Sequence, residues 1–317
     1  MTAPKKVLLI AGGGTLGTYV AKELLRLGHS VDIICLEENI SSDPKLRFYQ
    51  GYATKERLTE LFQKVHYDGI VNFIHYKNAE DYKAIHPFLA ANTDRLIFLS
   101  SYRVYADEQH PITEDAPRLY DVVKDEVFLT TETYAVPKSQ CEDYLRTERS
   151  DDAFTIVRPV ISFSQHRLDL LLYSKKRVLE AAEEGRTLLL PSLVRNYGAG
   201  IDWAGNSGKL IANLLFCPEA VRETFTIYSG HGMTWGDVAD AYTDVTGVKI
   251  RWCDEDEYLA TMPKLAKEPW MWIYDRRFDR RIDAAKVLRA TGLTASDFRS
   301  VAYGIQHEIE LLQWKKP

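Results

Sequence analysis

Short apolar runs alternate with amphipathic stretches through the first half of the chain. Runs of strand length that are almost wholly apolar predict strands covered on both faces of a sheet. Apolar residues at helical spacing between these runs predict helices. The predicted strands are 7–11, 30–36, 45–50, 70–74 and 95–100, and the predicted helices are 16–27, 55–65 and 80–91. This alternation predicts a doubly wound parallel sheet with helices on both faces.

The alternation becomes irregular beyond residue 160. A helix from Tyr134 to about Glu148 leads into a strand at 154–157. Further helices are predicted over 168–184, 209–216 and 235–246, and short strands at 225–228 and 249–252. We therefore predict an α/β fold with a Rossmann domain over residues 1–160 and a smaller C-terminal α/β lobe, mainly substrate-binding, over residues 161–317.

The composition of the 317-residue chain excludes several classes of protein. Hydrophobic residues make up 45% of it, which is enough for a sizeable core. A formal net charge of −5 gives no electrostatic reason to expect a nucleic-acid partner, and the four scattered cysteines have neither disulfide nor metal-site spacing. The apolar runs are too short to span a membrane and no signal peptide is visible. We expect a cytoplasmic protein that holds no metal ion.

A glycine-rich turn joins the first predicted strand to the first predicted helix. Its G-x-G-x-x-G motif lets the backbone approach a pyrophosphate, and the helix N-terminus supplies N–H groups and partial positive charge. The motif alone is weak evidence, but its position between a strand and a helix strengthens it. The residues predicted to bind a dinucleotide in this turn are Gly12, Gly14, Thr15, Leu16 and Gly17.

The end of the second strand bears on the choice between NAD and NADP. An acidic side chain at this point binds the adenosine ribose, whereas a basic one favours the 2′-phosphate of NADP. The chain has Glu37 and Glu38 here, and no basic residue follows them before Lys45. We expect NAD more than NADP, with Glu37 on the ribose. The alternative, that both glutamates are solvated loop residues without a ligand, stays open.

A tyrosine and a lysine four residues apart stand near the start of the helix before the 154–157 strand. Tyr134 and Lys138 share one helix face, and a nearby ammonium lowers a tyrosine pKa from about 10 towards neutrality. Tyr134 can then serve as general base when an alcohol is oxidised, and as acid on the return. Tyr120 and Lys124 repeat the spacing but follow an acidic turn, so they are expected in a loop or lid. A structural role stays open for both tyrosines.

Two serines, Ser100 and Ser101, stand at the end of the predicted 95–100 strand, at the edge of the sheet where ligands bind. Ser101 is predicted to hydrogen-bond the substrate oxygen beside Tyr134, and Ser100 to contact the cofactor. Taken alone, either serine would be a strand-end cap. The predicted catalytic residues are Ser101, Tyr134 and Lys138, of which the last two also contact the cofactor.

These motifs resemble the extended short-chain dehydrogenase/reductase family, also called NAD-dependent epimerases/dehydratases, over most of the chain. The motifs that carry the resemblance are Gly12–Gly17, Ser100-Ser101-x-x-Val104-Tyr105, Tyr134-x-x-x-Lys138 with Glu142, and Arg158-Pro159. The resemblance implies a catalytic triad of Ser101, Tyr134 and Lys138, with Lys138 also on the nicotinamide ribose. It further implies a sugar-nucleotide substrate bound between the two lobes, and a homodimer.

The chain departs from the usual pattern of that family at several positions. Ala11 stands where the first glycine of the motif is often found, and the usual acid of the second strand is displaced. The sugar 4,6-dehydratases have Thr-Asp-Glu where this chain has Ser101, Tyr102 and Arg103. Tyr102 and Arg103 do not easily supply the acid and base of a dehydration. The sequence therefore favours an epimerase or a simple alcohol/ketone oxidoreductase.

Other residues are weaker candidates for contact with the substrate. Arg195 has the geometry to bind a diphosphate, although the alternative role of an exposed charge in a loop stays equally open. Trp203, Trp270 and Trp272 could line the cleft, although core or interface packing is favoured for Trp270 and Trp272. The densely charged segment 275–281 is expected to be a solvated face.

The predicted function is that of an NAD-dependent epimerase or oxidoreductase that acts on a sugar, in the form of a sugar nucleotide. The alternative is a catalytically silent NAD-binding regulator or scaffold of the same fold. It is motivated by the displaced or absent acid of the second strand, and by the fourth strand, which ends in Asn72-Phe73-Ile74-His75-Tyr76 where the family normally has a His-Leu-Ala-like stretch. An RNA-binding relative is disfavoured by the acidic net charge.

Overall fold

The computed structural model describes residues 3–316. Their main feature is one large parallel sheet with helices on both faces. The strands are β1 Lys6–Ile10, β2 Ser30–Cys35, β3 Leu46–Gln50, β4 Gly69–Asn72, β5 Leu96–Leu99, β6 Phe154–Pro159, β7 Ile161–Phe163, β8 Thr187–Pro191, β9 Ile201–Trp203, β10 Thr224–Ile227 and β11 Lys249–Cys253. The α-helices are α1 Thr15–Arg26, α2 Lys55–Phe62, α3 Ala79–Ala90, α4 Leu119–Val122, α5 Glu126–Thr131, α6 Ala135–Thr147, α7 Lys175–Glu183, α8 Ala204–Leu214, α9 Trp235–Thr246, α10 Glu255–Ala260, α11 Ala285–Thr291 and α12 Val301–Leu311.

The central sheet has seven parallel strands in the order β10-β6-β5-β4-β1-β2-β3. The strand order reverses between β1 and β4, and the carboxyl end of β1 at this point carries the glycine-rich turn. Ligands of doubly wound sheets bind at such a reversal. The predicted α/β fold with a Rossmann-type sheet is confirmed.

Alternate side chains of β1 point to opposite faces of the sheet, and each face has its own core. Val7 and Leu9 pack in the core that includes residues of α1 and α8. Leu8 and Ile10 pack in a core with residues of α2 and α3. All four side chains are buried, which explains why β1 is continuously apolar rather than alternating.

The second half of the chain forms smaller sheets and also completes the large one. β7 pairs with β9, and β8 pairs with β11, both in parallel. β10 joins the central sheet beside β6, and α8 packs against α1. The division into a dinucleotide-binding part and a substrate-binding part at about residue 160 stays a prediction.

The helix predicted over 168–184 is correct only in its second part. The helix α7 begins at Lys175, after Ser174, which has extended backbone. Leu171 has a left-handed backbone with φ of 54°, and the amide of Lys175 donates a 3.1 Å hydrogen bond to the Asp169 carboxylate. A left-handed residue interrupts a right-handed helix, so the apolar residues before Ser174 are buried in turns instead.

The expectation that 275–281 is a solvated face is wrong. Asp275, Arg276, Asp279 and Arg280 are all buried. Their charges are compensated by one another and by residues from the first half of the chain, which a count of local charges does not reveal. Within residues 3–316, no helix is long and apolar enough to cross a membrane.

Candidate active site

A cleft of about 440 Å³ opens at the carboxyl edge of the central sheet. The residues that line it are Ala11, Gly14, Thr15, Leu16, Gly17, Phe73, Leu99, Ser100, Ser101, Tyr102, Arg103, Tyr134, Pro159, Val160, Ile161, Ser162, Arg167, Met271 and Arg276. The cleft therefore brings the glycine-rich turn together with Ser101 and Tyr134, although these lie more than 80 residues apart in the chain.

The glycine-rich turn has the shape that a pyrophosphate requires. A Cβ atom on Gly17 would lie 2.2 Å from the Gly12 carbonyl oxygen, so only glycine allows α1 to pack this closely on the turn. A Cβ atom on Gly14 would meet no atom within 4 Å, so the backbone there faces open space. Gly14 caps α1 without a side-chain hydrogen bond, and the first turn of α1 contains no acidic residue. The N-terminal N–H groups of α1 are thus free of competing anions and suit a phosphate.

Glu37 lies beside this turn, just beyond β2. A Cβ atom built on Gly13 would be 2.7 Å from Glu37 Oε2, which places the carboxylate directly against the turn. Glu37 is exposed, as a group that binds ribose hydroxyls must be. The position fits the predicted contact with the adenosine ribose.

Tyr134 and Lys138 occupy the start of α6, with Tyr134 as its N-cap residue. The Lys138 Nζ atom lies 5.1 Å from the centre of the Tyr134 ring. Lys138 is buried and donates hydrogen bonds to the carbonyl oxygens of Leu99 and Ser100, at 2.5 and 3.2 Å. These bonds fix the ammonium between α6 and the end of β5, so its charge acts on Tyr134 from a set position.

The electrostatic surroundings favour the phenolate form of Tyr134. Burial raises the pKa of Tyr134, but the positive charges of Lys138 and Arg103 more than offset this, so its pKa lies below the usual value of 10. Burial lowers the pKa of Lys138, and the neighbouring Tyr134 partly opposes that change. A tyrosine with a lowered pKa in a cleft is suited to general acid–base chemistry.

Ser100 and Ser101 both lie on the cleft wall and are buried. Ser101 Oγ accepts a 3.2 Å hydrogen bond from the Arg103 amide. Ser100 Oγ has no hydrogen-bond partner among residues 3–316. The Oγ atom is closed to solvent and lies near the buried Glu142 carboxylate, whose pKa it helps to lower.

The cleft contains two arginines that the sequence analysis did not select for binding. The Arg103 guanidinium carbon lies 4.5 Å from the centre of the Tyr134 ring. Arg276 donates a 2.7 Å hydrogen bond to the Tyr102 hydroxyl, which in turn donates to Asp275 at 2.7 Å. Arg103 could have been noticed from its place two residues after Ser101. The sequence around Arg276 did not predict its place in the cleft, because the Tyr102 hydroxyl to which it donates lies more than 170 residues earlier.

The remaining candidates from the sequence lie outside the lining of the cleft. Tyr120 is in the four-residue helix α4 instead of a loop, and its place in a lid stays a prediction. The Arg195 guanidinium lies 5.3 Å from the centre of a Trp252 ring. Trp203 donates a hydrogen bond to Glu308, and Trp272 donates one to Glu255.

The Trp270–Trp272 segment nevertheless reaches the cleft. Met271 lines it, while Trp270 packs on Phe128 with ring centres 5.6 Å apart. The described residues contain no group of three His, Cys, Asp or Glu side chains that could hold a metal ion.

The fold and the cleft define a dinucleotide-binding protein of the short-chain dehydrogenase type, and comparison with known sequences specifies the family. Residues 8–196 match the NAD dependent epimerase/dehydratase family. The chain belongs to this family, which confirms the resemblance found in its motifs. A UDP-glucose 4-epimerase from Lactobacillus helveticus is 27% identical over 133 residues, which cover 35% of this chain and only 40% of that relative.

Solved structures share the fold along nearly the whole chain. A UDP-N-acetylglucosamine 4-epimerase from Methanobrevibacter ruminantium, in complex with UDP-N-acetylmuramic acid, has a TM-score of 0.69 at 14% identity, covering 98% of this chain and 99% of that one. A UDP-glucose 4-epimerase from Stenotrophomonas maltophila, with bound NAD and formylated UDP-arabinopyranose, has a TM-score of 0.68 at 16% identity and covers 98% of both chains. At these identities the likeness concerns the fold.

Proposed function

We propose that this protein is an NAD-dependent sugar-nucleotide epimerase in which Tyr134 is the acid–base catalyst. The observation that carries the proposal is the joint placement of the glycine-rich turn, Ser101 and Tyr134 on one cleft, with Lys138 buried beneath Tyr134. The family and the sugar-nucleotide epimerases of similar fold support this choice.

The residues around the cleft suit a nicotinamide dinucleotide. Gly12, Gly14, Thr15, Leu16 and Gly17 would hold its pyrophosphate, and Glu37 its adenosine ribose. Ser100, on the wall of the cleft, and Lys138, buried beside it, would hold the nicotinamide end. NAD supplies a reversible hydride acceptor when it is bound. We propose NAD over NADP because Glu37 would repel a 2′-phosphate.

The side chains of this protein would handle the proton of the sugar hydroxyl. Ser101 would hydrogen-bond the reacting oxygen, and Tyr134 would take its proton as the hydroxyl becomes a carbonyl. Lys138 and Arg103 stabilise the phenolate that makes this possible. Epimerisation is redox-neutral, so Tyr134 would return the proton to the same oxygen in the opposite stereoisomer.

A substitution at Tyr134 tests this proposal. We expect Tyr134→Phe to lower kcat by roughly 10²- to 10⁴-fold, the usual contribution of a general acid–base group. NAD binding should persist because the glycine-rich turn is untouched. The measurement is interconversion of UDP-hexose stereoisomers, followed by chromatography, with NAD and NADP compared for the wild type.

Tyr120→Phe is the matched control, because it removes the same hydroxyl from the other Tyr/Lys pair, outside the lining of the cleft. It should keep wild-type activity. Full turnover by Tyr134→Phe would contradict the mechanism. A wild-type protein that binds NAD and converts no sugar nucleotide would favour the silent regulator or scaffold. Sedimentation of the wild type tests the homodimer, which stays a prediction.

A further inference from the structure

Arg103 is a largely enclosed cation at the centre of the cleft. Its side chain is 14% exposed, and its guanidinium lies over the Tyr134 ring. Its own amide contacts Ser101 Oγ, so the residue is anchored at the proposed reacting end. Arg103 Nε has no hydrogen-bond partner among residues 3–316. The charge itself is paired, because Glu132 and Asp275 lie 3.5 and 3.4 Å from its guanidinium nitrogens.

The two carboxylates near Arg103 are engaged mainly with other groups. Glu132 Oε1 lies 3.5 Å from Arg103, whereas Glu132 Oε2 accepts hydrogen bonds from the Tyr134 and Val136 amides at 2.8 and 3.0 Å. Asp275 lies 3.4 Å from Arg103 Nε, whereas it accepts a 2.7 Å hydrogen bond from the Tyr102 hydroxyl. Both carboxylates hold Arg103 in place without satisfying its Nε donor.

The lining of the cleft has a single sign of charge. Arg103, Arg167 and Arg276 line it, and the described lining contains no aspartate or glutamate. The phosphates of a sugar nucleotide need cations, and Arg167 is the most exposed of the three, whereas Arg276 is buried and engaged with Tyr102 and Asp275. Arg103 is two residues from Ser101, so an anion bound to Arg103 would lie beside the carbon atom that reacts. The diphosphate would lie farther away, because the sugar ring separates it from the reacting carbon.

We propose, building on the sugar-nucleotide epimerase function above, that the substrate is a nucleotide-linked uronic acid whose ring carboxylate binds Arg103. A guanidinium is a planar fork that matches a carboxylate in two parallel hydrogen bonds. A carboxylate on the carbon next to the oxidised one lies within reach of a group beside Ser101 and Tyr134. The same contact would add a charge-assisted pair to the terminal N–H groups of Arg103, and neutral hexoses cannot supply that pair, so the cleft would discriminate against them.

The test compares two ligands that differ only in this group. UDP-glucuronic acid and UDP-glucose are titrated into the NAD-loaded protein by calorimetry. We expect the acid to bind roughly 10- to 100-fold more tightly, the range for a hydrogen bond to a charged group. Arg103→Gln should abolish this preference while leaving the affinity for UDP-glucose within a few-fold. The same titration with UDP-galacturonic acid and UDP-galactose checks the other stereoisomer.

Arg177→Gln is the matched control. The Arg177 guanidinium also lies over a tyrosine ring, 4.6 Å from the centre of Tyr173, but outside the lining of the cleft. This variant should keep the preference for the acid. The comparison within the wild type is decisive even if Arg103→Gln does not fold.

Equal affinity of the wild type for the acid and the neutral sugar would overturn the inference, and turnover of UDP-hexoses would then leave the epimerase function standing. Absence of binding by either ligand would overturn both. A preference for the acid that survives in folded Arg103→Gln would also overturn the assignment. In that case Arg103 would act only on Tyr134, and kcat would fall equally for both ligands.

Discussion

Ala11 has a left-handed backbone, with φ of 56°, at the point where β1 enters the glycine-rich turn. Its amide donates a 2.8 Å hydrogen bond to the Ile34 carbonyl oxygen, so the conformation is held by β2. Side chains disfavour this region by about 1 kcal/mol, whereas glycine adopts it freely. The position is the one where the family often has glycine, and the structure gives the reason.

We predict that Ala11→Gly raises the free energy of unfolding by up to about 1 kcal/mol. The gain is limited because glycine also increases the entropy of the unfolded chain. Urea denaturation measures the difference. Ala302→Gly, at an exposed position in the first turn of α12, is the control and should lower stability by less than about 1 kcal/mol. A destabilised Ala11→Gly would show that the turn does not strain Ala11.

Among the secondary-structure elements, α6 is joined to β6 by a buried ion pair. Arg158 donates two hydrogen bonds to the Glu142 carboxylate, at 2.9 and 2.6 Å, in the parallel arrangement that is strongest. Burial by itself raises the pKa of Glu142. The Arg158 charge lowers the pKa by a larger amount, so it falls from 4.5 to about 2. The pair holds the helix that carries Tyr134 and Lys138 against the sheet.

This ion pair predicts a loss of stability in acid. Because the folded pKa of Glu142 lies below its unfolded value, its contribution is complete above pH 4.5 and disappears as the pH falls towards 2. We expect Glu142→Gln to lower the free energy of unfolding at pH 7 by roughly 3 kcal/mol. The difference from wild type should shrink between pH 4.5 and 2, in urea titrations at each pH.

Glu108→Gln is the control for this experiment, because Glu108 is exposed. It should change stability by less than about 0.5 kcal/mol at every pH. A difference between Glu142→Gln and wild type that stays constant down to pH 2 would contradict the lowered pKa.

At the scale of the whole molecule, Asp275 joins the C-terminal part of the chain to the turn after β5 that carries Ser101. It accepts a hydrogen bond from the Tyr102 hydroxyl and forms ion pairs with Arg103, Arg276 and Arg280. Burial raises the pKa of Asp275, but the arginines lower it more, so the carboxylate is charged in the folded protein. One carboxylate thus pairs with three guanidinium groups, two of which, Arg103 and Arg276, line the cleft.

We predict that Asp275→Asn lowers the free energy of unfolding by about 3 kcal/mol or more, because it leaves buried cations without a counter-charge. Thermal and urea unfolding measure this effect. Asp240→Asn, at an exposed position on α9, should leave stability within about 0.5 kcal/mol of wild type. A comparable loss in both variants would point to a general effect of charge instead.

The sequence by itself determined the parallel sheet, the glycine-rich turn and the pairing of Tyr134 with Lys138. These features depend on residues close together in the chain, since strand runs, turn glycines and helical spacing are local patterns. The prediction of a helix over 168–184 was partly wrong, because Leu171 has a left-handed backbone that the spacing of apolar residues does not predict.

Only the tertiary structure decided the burial of 275–281 and the charge of the cleft. Asp275 and Arg276 look solvated in sequence, because the Tyr102 hydroxyl that satisfies them lies more than 170 residues away. The same holds for Arg103, whose partners come from α6 and from the C-terminal part of the chain. Charge compensation in a buried network depends on distances in space, and local sequence patterns do not contain those distances.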